Sequence, residues 1–480
     1  MDIPTRICKT LLISSVVLYL AFISLSSRYP NCPPTNLFTP TFLQISSPSP
    51  SPSSPTFNTS RQSTSIPGAH SPTLLSHLAF GIIGSEDAWH HRRSYVESWW
   101  RPNATHGLLF LDQPPSDNLL PWSPESPPYR ISRDLRPFLN KTDVTPQRIA
   151  NGIAEVFREV EHANLRWLVM GDDDSIFFLD NLVEMLQRFD HTKYYIGARS
   201  EFVLSNFLFS FSQGFGGAGF ILSYPLAKDL VSDMDNCLMR YSHVVAADQT
   251  TMSCVGDMGV NLTPLEGFHQ IDMRGDISGL LSSHPKVPLL SLHHFDMVEP
   301  IFPNMNRTQS TRHLMRAANA DQSRMLQQTI CHDRRRNWSF SISWGYSAHI
   351  YERIMPRSFL QYPIETFQLW LPAPGPPFYM FNTRLPSTDP CEAPHVFFLD
   401  TVKRKADDIL TVYRRAWPRG MPPCFFTGNH SADFIHKIRV TSPAKKRLEI
   451  HRSECCDIVG ITGNKADVKF RECMAKEIMA

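Results

Sequence analysis

The stretch Trp167-Leu168-Val169-Met170-Gly171-Asp172-Asp173-Asp174-Ser175-Ile176 carries an apolar run straight into three consecutive carboxylates. Leu165 to Met170 has the length and the aliphatic and aromatic content of a buried strand. The aspartates then fall at its C-terminal end, where open α/β sheets place their ligands. Asp180 is expected to cap the following helix, on which Leu182, Val183, Leu186 and Phe189 recur at helical spacing. Three adjacent carboxylates repel unless a cation sits among them, and the arginines nearest in sequence, Arg166 and Arg188, lie outside the loop. A divalent metal answers this economically, because hard oxygen ligands on a short loop suit Mn²⁺ or Mg²⁺, which bridge carboxylates to substrate phosphates. For the motif taken alone, a solvated Asx turn is the alternative.

Upstream, Thr145 and Pro146 start a helix whose apolar face is Ile149, Ile153, Val156, Phe157 and Val160. Before it come a strand over Leu78 to Gly84, a helix from Asp87 to Trp100 and a strand over Leu108 to Asp112. After the aspartates comes Tyr194-Tyr195-Ile196-Gly197. The alternation of strands and helices predicts an α/β fold with a mainly parallel sheet.

The flanks describe a tethered chain. Residues 1–9 carry Arg6 and Lys9, and residues 10–27 carry no charge, about one membrane thickness. A cleaved signal peptide would have a similar basic start and apolar run. The preferred reading is an uncleaved single-pass anchor of type II, with the tail cytosolic and the rest luminal. Residues 28–75 are rich in Pro, Ser and Thr and read as a stem. Seven Asn-x-Ser/Thr sequons beyond the anchor, at Asn58, Asn103, Asn140, Asn261, Asn306, Asn337 and Asn429, are compatible with secretory exposure. Nine of the ten cysteines would then meet an oxidising lumen, an odd count that leaves one thiol free or, at Cys32 in the stem, an intermolecular bridge. A net charge of +2 and a pI near 8.0 give no case for nucleic acid. Lys445-Lys446-Arg447 reads as a solvated face.

An Asp-rich turn on an α/β domain behind an anchor and stem resembles a Golgi glycosyltransferase of GT-A type. The segments Gly197-Ala198-Arg199-Ser200-Glu201, Gly216-Gly217-Ala218-Gly219, Ala247-Asp248-Gln249-Thr250 and Ser291-Leu292-His293-His294 narrow this. They follow in the order of Fringe-like β-1,3-glycosyltransferases. Gly267-Phe268-His269-Gln270, Trp344-Gly345-Tyr346, Phe381-Asn382-Thr383-Arg384 and Cys455-Cys456-Asp457 resemble the plant branch of Fringe-related proteins. The resemblance implies a catalytic domain over residues 76–330 and a cysteine-containing extension over 331–480. It also implies a UDP-sugar donor, Mn²⁺ or another divalent cation, a glycan or glycoprotein acceptor and a Golgi membrane location. Residue by residue, it implies that Asp174 ligates the metal and that Asp172 and Asp173 orient ribose, sugar or metal-bound water. His293, or His294 beside it, would be the distal ligand, and Asp248 the catalytic base. Fringe proteins have two adjacent acids where this chain has Ala247-Asp248. A non-catalytic luminal glycan-binding or scaffold protein that keeps the fold, and a metal-dependent hydrolase, are the rival readings.

Three further motifs receive structural readings. Gly214-Phe215-Gly216-Gly217-Ala218-Gly219 satisfies G-x-G-x-x-G, but Pro225 follows too closely for a dinucleotide-binding helix, so a loop for close backbone approach to the nucleotide-sugar or acceptor is expected. Arg274-Gly275-Asp276 lies in a loop-like segment, 267–279, and implies no adhesion role. Phe340, Ile342, Trp344, Tyr346, Ala348 and Ile350 alternate with small polar residues, the period of a half-buried strand.

Overall fold

The computed structural model describes residues 71–425, 431–447 and 452–479. The expected tail and anchor, and the expected stem up to residue 70, lie outside these residues, as do the sequons at Asn58 and Asn429. Among the described residues no helix is long and apolar enough to cross a membrane.

Strands β1 (Leu78–Ile83), β2 (His106–Leu111), β3 (Tyr129–Ile131) and β4 (Trp167–Asp172) pair in parallel in the order β3-β2-β1-β4. The short β5 (Ile176–Phe177) leaves the aspartate turn, and β6 (Tyr195–Gly197), β7 (Phe220–Ser223) and β8 (Leu262–Pro264) complete the sheet as β4-β7-β6-β8. β6 and β8 pair in parallel, whereas β7 runs antiparallel to both β4 and β6. The sheet is therefore mainly parallel with one inverted strand, whose direction periodicity does not encode.

Strand alternation divides the core. Ala79, Ile83, Leu168, Met170 and Leu222 pack with Ile153, Val156 and Phe157 of the helix Thr145–Glu159 and with Leu226 and Leu230 of the helix Tyr224–Arg240. On the other face, Leu78, Phe80, Ile82, Trp167 and Val169 join a cluster that extends to Phe340, Ile438 and Phe470. Both faces are covered, as a largely parallel sheet requires. The described residues accordingly form one compact unit.

Next come β9 (Phe268–His269), β10 (Met273–Gly275) and β11 (Ser291–Leu292), so the expected loop over 267–279 contains two short strands and the start of the helix Ser278–Ser283. β11 pairs with β5 and β9. The C-terminal part is a second sheet, formed by β12 (Gln328–Asp333), β13 (Trp338–Ser343), β14 (Ser347–Tyr351), β16 (His395–Lys405), β17 (Asp408–Arg415), β18 (Lys437–Pro443), β19 (Cys455–Thr462) and β20 (Lys465–Arg471). β15 (Phe367–Leu369) pairs with β10 outside it. The order is β12-β13-β14-β16-β17-β18-β20-β19, antiparallel except for the parallel β18/β20 pair.

The aromatic stretch from Phe340 is thus a hairpin, β13 and β14, rather than one strand, and every residue of both strands is buried rather than half-buried. Its polar ends are satisfied internally. Trp344 donates from Nε1 to Ser442 Oγ at 3.1 Å, and the Tyr346 hydroxyl donates to Ile301 O at 3.0 Å. Glu352, just after β14, accepts from the backbone nitrogens of Cys424 (2.8 Å) and Ala432 (2.7 Å) and lies 2.8 Å from His395 Nε2 and 3.2 Å from Arg419. Burial pushes its carboxyl up, but these partners outweigh that and hold it at about 2.

The eight described cysteines form four disulfides: Cys237–Cys254, Cys331–Cys456, Cys391–Cys424 and Cys455–Cys473. Cys331 is on β12 and Cys456 on β19, so one bridge joins the first and last strands of the second sheet. Of the nine cysteines expected beyond the anchor, this leaves Cys32, which lies outside the described residues. The basic run is a solvated face in part: Lys445 and Lys446 are exposed, Lys446 pairing with Glu184, whereas Arg447 is buried and donates to Gln327 Oε1 at 3.1 Å.

Candidate active site

The turn after β4 is pinned by Ser175. Its hydroxyl accepts the Asp172 N–H at 2.8 Å and donates to the Gly217 carbonyl at 2.7 Å, while its carbonyl accepts Trp99 Nε1 at 2.8 Å. One buried serine thereby ties the aspartate turn to the glycine loop. The three carboxylates then diverge. Asp174 is fully buried, with Oδ1 3.1 Å from Nε2 of His293, which follows β11; Asp172, half-buried, places Oδ2 3.9 Å from the same nitrogen. Asp172, Asp174 and His293 each offer a ligand atom within 4.8 Å of the others.

Asp173 turns away. Its Oδ1 takes Arg92 Nη1 at 2.8 Å, and its Oδ2 accepts the Ser85 N–H at 3.3 Å. Arg92, on the helix Glu86–Glu97, also lies 3.5 Å from Asp174 Oδ1 and 2.5 Å from Asp296 Oδ2. The aspartates therefore have a protein cation that sequence neighbours did not indicate. Asp180 is corrected as well. It sits in the first turn of the helix Leu179–Leu186, after Phe178 at the cap position, and pairs with Arg101 at 2.8 Å.

The electrostatics follow from burial and crowding. Burial, then Asp174, Asp248 and Asp173, push the Asp172 carboxyl well up. Burial raises Asp173 to about 6 against the pull of Arg92. Burial also acts on Asp174, but His293, Arg92 and His294 outweigh it and hold that carboxyl below the usual range. Burial lowers His293 against the opposing pull of Asp174. Asp174 Oδ2 and His293 Nδ1 are buried without a hydrogen-bond partner among the described residues. Two carboxylates, one imidazole and an unsatisfied buried oxygen suit a divalent cation of the Mn²⁺ type.

The glycine loop separates this cluster from Asp248. A Cβ added at Gly217 would lie 1.9 Å from His293 Cε1, and one added at Gly216 would lie 2.5 Å from Asp248 Oδ1. Gly219 has φ +91° and would press a Cβ to 2.6 Å from Phe177, so the backbone here approaches both groups as no other residue type allows. The segment is a loop leading into β7, as expected, and Pro225 falls in the first turn of the next helix. Gln270 supports the loop by accepting the Ala218 N–H at 2.8 Å.

Asp248 lies in the first turn of the helix Ala247–Asp257, two residues after Ala246 at the cap position. Burial pushes its carboxyl to about 6. Arg240 is occupied by Asp233 (2.7 Å) and Asp257 (2.6 Å) rather than by Asp248. His294 points elsewhere than His293: its Nδ1 is 3.1 Å from Asp272 Oδ1, and its ring stacks on Trp370 with centroids 4.5 Å apart. Asp272 also accepts from Ser200 Oγ at 2.6 Å. Among the functional candidates, Arg92, Ser175 and Asp296 escaped the sequence reading. A lone arginine on an amphipathic helix carries no signal that separates it from a solvated one.

The family described as "Protein of unknown function, DUF604" matches residues 205–456, just over half of the chain. The chain belongs to this family. The DUF604 match takes in the glycine loop, Asp248, His293 and much of the second sheet, and the aspartate turn precedes it. No curated protein matches. Among solved structures, the mannosyltransferase PcManGT from Pyrobaculum calidifontis, in complex with GDP-Man and Mn²⁺, matches with 9% identity and a TM-score of 0.27. That match covers 53% of this chain and 63% of that one.

Proposed function

We propose that the chain is a metal-dependent inverting glycosyltransferase that moves a sugar from a UDP-sugar to an acceptor hydroxyl, forming a β-1,3 linkage. One observation carries the reading. The glycine step Gly216-Gly217 separates Asp248, a carboxylate in no ion pair among the described residues, from the Asp172/Asp174/His293 cluster by only two residues' width of backbone. A donor diphosphate against the cluster and an acceptor hydroxyl against Asp248 would meet across that bare backbone.

In this reading Asp174 and His293, with Asp172, hold a divalent ion such as Mn²⁺, which would supply Lewis-acid stabilisation of the departing diphosphate. Asp173 is held by Arg92, so its part is to orient that guanidinium beside the cluster. Asp248 takes the proton from the acceptor hydroxyl as the new bond forms, and its elevated pKa suits a general base near neutral pH. Gly216, Gly217 and Gly219, lacking Cβ atoms, let the loop backbone lie directly against Asp248, His293 and Phe177, which brings the proposed base and the metal cluster to the two sides of one loop. Placement on a Golgi membrane as a type II protein belongs to the same proposal; the four disulfides support an oxidising compartment.

The test is UDP release by purified protein with Mn²⁺ and a panel of UDP-sugars, with and without acceptors. Mn²⁺-dependent release that needs Asp174 and Asp248 supports the reading. Binding of glycans without release from any donor favours the non-catalytic scaffold instead.

A further inference from the structure

Three side chains that the proposed transfer does not use meet on the wall of a cavity of about 380 Å³ lined also by Phe268, Lys286, Met380 and Phe381. Glu201 follows β6, His269 ends β9 and His284 follows the helix Ser278–Ser283. Glu201 and His269 are buried and His284 half-buried, and one ligand atom of each lies within 4.8 Å of the other two. Oε1 of Glu201 is 2.8 Å from His269 Nδ1 and 4.0 Å from His284 Nε2. A tetrahedral ion with bonds of about 2.0–2.2 Å sets its ligand atoms about 3.4 Å apart, a spacing that these two distances bracket. We propose that Glu201, His269 and His284 bind a divalent transition-metal ion, Zn²⁺ by ligand type, at a site separate from the Asp172/Asp174/His293 cluster.

The donor set decides the metal. Two imidazoles and one carboxylate suit borderline Zn²⁺, whereas two carboxylates and one imidazole lean toward harder ions. Support around the ligands is already built. The second oxygen of Glu201 accepts the Ile271 N–H at 2.9 Å, which aims Oε1 at the histidines, and the His284 ring packs on Phe381 with centroids 4.0 Å apart. Ile271 holds φ +53°, a conformation that a β-branched residue adopts only under constraint from its surroundings. Lys286, the nearby cation, donates to the carbonyls of Ser283 (2.7 Å) and Gln361 (3.0 Å), so its ammonium is engaged outside the triad. A plain Glu201–His269 hydrogen bond is the competing account. It gives His284 no role, although His284 Nε2 lies 4.0 Å from the same Glu201 Oε1. With three protein ligands, the fourth position falls to water or to a donor atom of whatever enters the cavity.

The test measures Zn²⁺ on the purified chain by elemental analysis after dialysis and by competition titration, together with the visible bands of the Co²⁺-substituted protein. Wild type should hold one Zn²⁺ that survives Asp174→Ala. His284→Ala should weaken it by more than the ~10- to 100-fold that loss of an outer-shell partner costs. His284→Phe keeps the ring packed on Phe381 without a ligand atom, so it should match the melting temperature of metal-free wild type while losing the ion and the tetrahedral Co²⁺ bands. Wild-type protein that takes up no Zn²⁺, or a folded His284→Phe that binds as wild type does, overturns the site. Zn²⁺ lost only in Asp174→Ala overturns it too, by assigning the ion to the other cluster. Neither result depends on whether the protein transfers sugar.

Discussion

Gly217→Ala tests the geometry on which the proposed chemistry depends. The added methyl would start 1.9 Å from His293 Cε1, and carbon atoms rest at about 3.5–4.0 Å, so ring and loop must part by roughly 2 Å. The ring has little room to retreat. It is 3% exposed, with Asp174 3.1 Å from its Nε2 and the His294 ring 3.8 Å away, centroid to centroid. The loop is equally constrained, because the Gly217 carbonyl is held by buried Ser175. Overpacking of this kind costs about 1–3 kcal/mol. Metal ligands, by contrast, tolerate displacements of only about 0.2 Å. Mn²⁺ affinity should therefore collapse, by about 100-fold or more, while the fold survives with a modestly lower melting temperature. Calorimetric titration or Mn²⁺ paramagnetic resonance, alongside thermal melts, measures both. The control is Gly256→Ala in the helix Ala247–Asp257, where an added Cβ meets nothing within 4 Å; it should be stabilising by about 0.5–1 kcal/mol. A Gly217→Ala protein that binds Mn²⁺ within about twofold of wild type would refute the assignment of His293 to the metal.

Asp248→Asn should retain UDP and Mn²⁺ affinity within a few fold while kcat for transfer falls about 10²- to 10⁴-fold; steady-state kinetics with normal turnover would move the base elsewhere. Asp257 is the weaker replacement, being bound by Arg240 and Tyr241, and Asp272 is bound by Ser200. Because burial raises Asp248 to about 6 and the base must be deprotonated, kcat/KM should fall as pH drops through about 6; a profile flat to pH 5 would contradict this. Arg92→Ala would strip the cation from Asp173, which is buried, and from Asp296. With the guanidinium itself one-quarter exposed, the loss should sit near the low end of the buried-pair range, about 3 kcal/mol, read by urea denaturation. Glu352 has the opposite pH signature to Asp248. Its depressed folded-state pKa contributes stability that is fully present above its ordinary value of 4.5 and is lost as pH falls toward about 2, so Glu352→Gln should flatten the stability profile across that window.

Much of the first sheet was legible because its strands and helices carry strong periodicity. The expected strand at Leu165–Met170 is β4 displaced by two residues, and the helix over Thr145–Glu159 buries the face read from Ile153, Val156 and Phe157. What escaped depends on long-range contacts. The antiparallel sense of β7 is set by its neighbours, since a short fully buried strand looks the same in either direction. The hairpin β13/β14 is covered on both faces, so alternation with serine suggested one wet side where there is none. In the site, the acidic turn stood out by residue type and the glycine loop by its motif, whereas Asp248 and His293 were picked out only by the order of segments that resembles Fringe-like proteins. Arg92 comes from a helix more than 70 residues upstream, and Glu201, His269 and His284 meet only because three separate segments converge. No local pattern records such meetings.

The bridge between Cys331 and Cys456 bears on how the protein behaves in a crowd. A sheet whose outermost strands stand free offers two rows of unpaired backbone groups to any other chain, the usual seed of polymerisation. Here the outermost strands, β12 and β19, are clasped to each other across a sequence separation of 125 residues. Reduction would release both rows together, and each could be extended by the complementary row of a neighbouring molecule. In a reducing environment the two edges would be kept from such pairing only by their packing against each other.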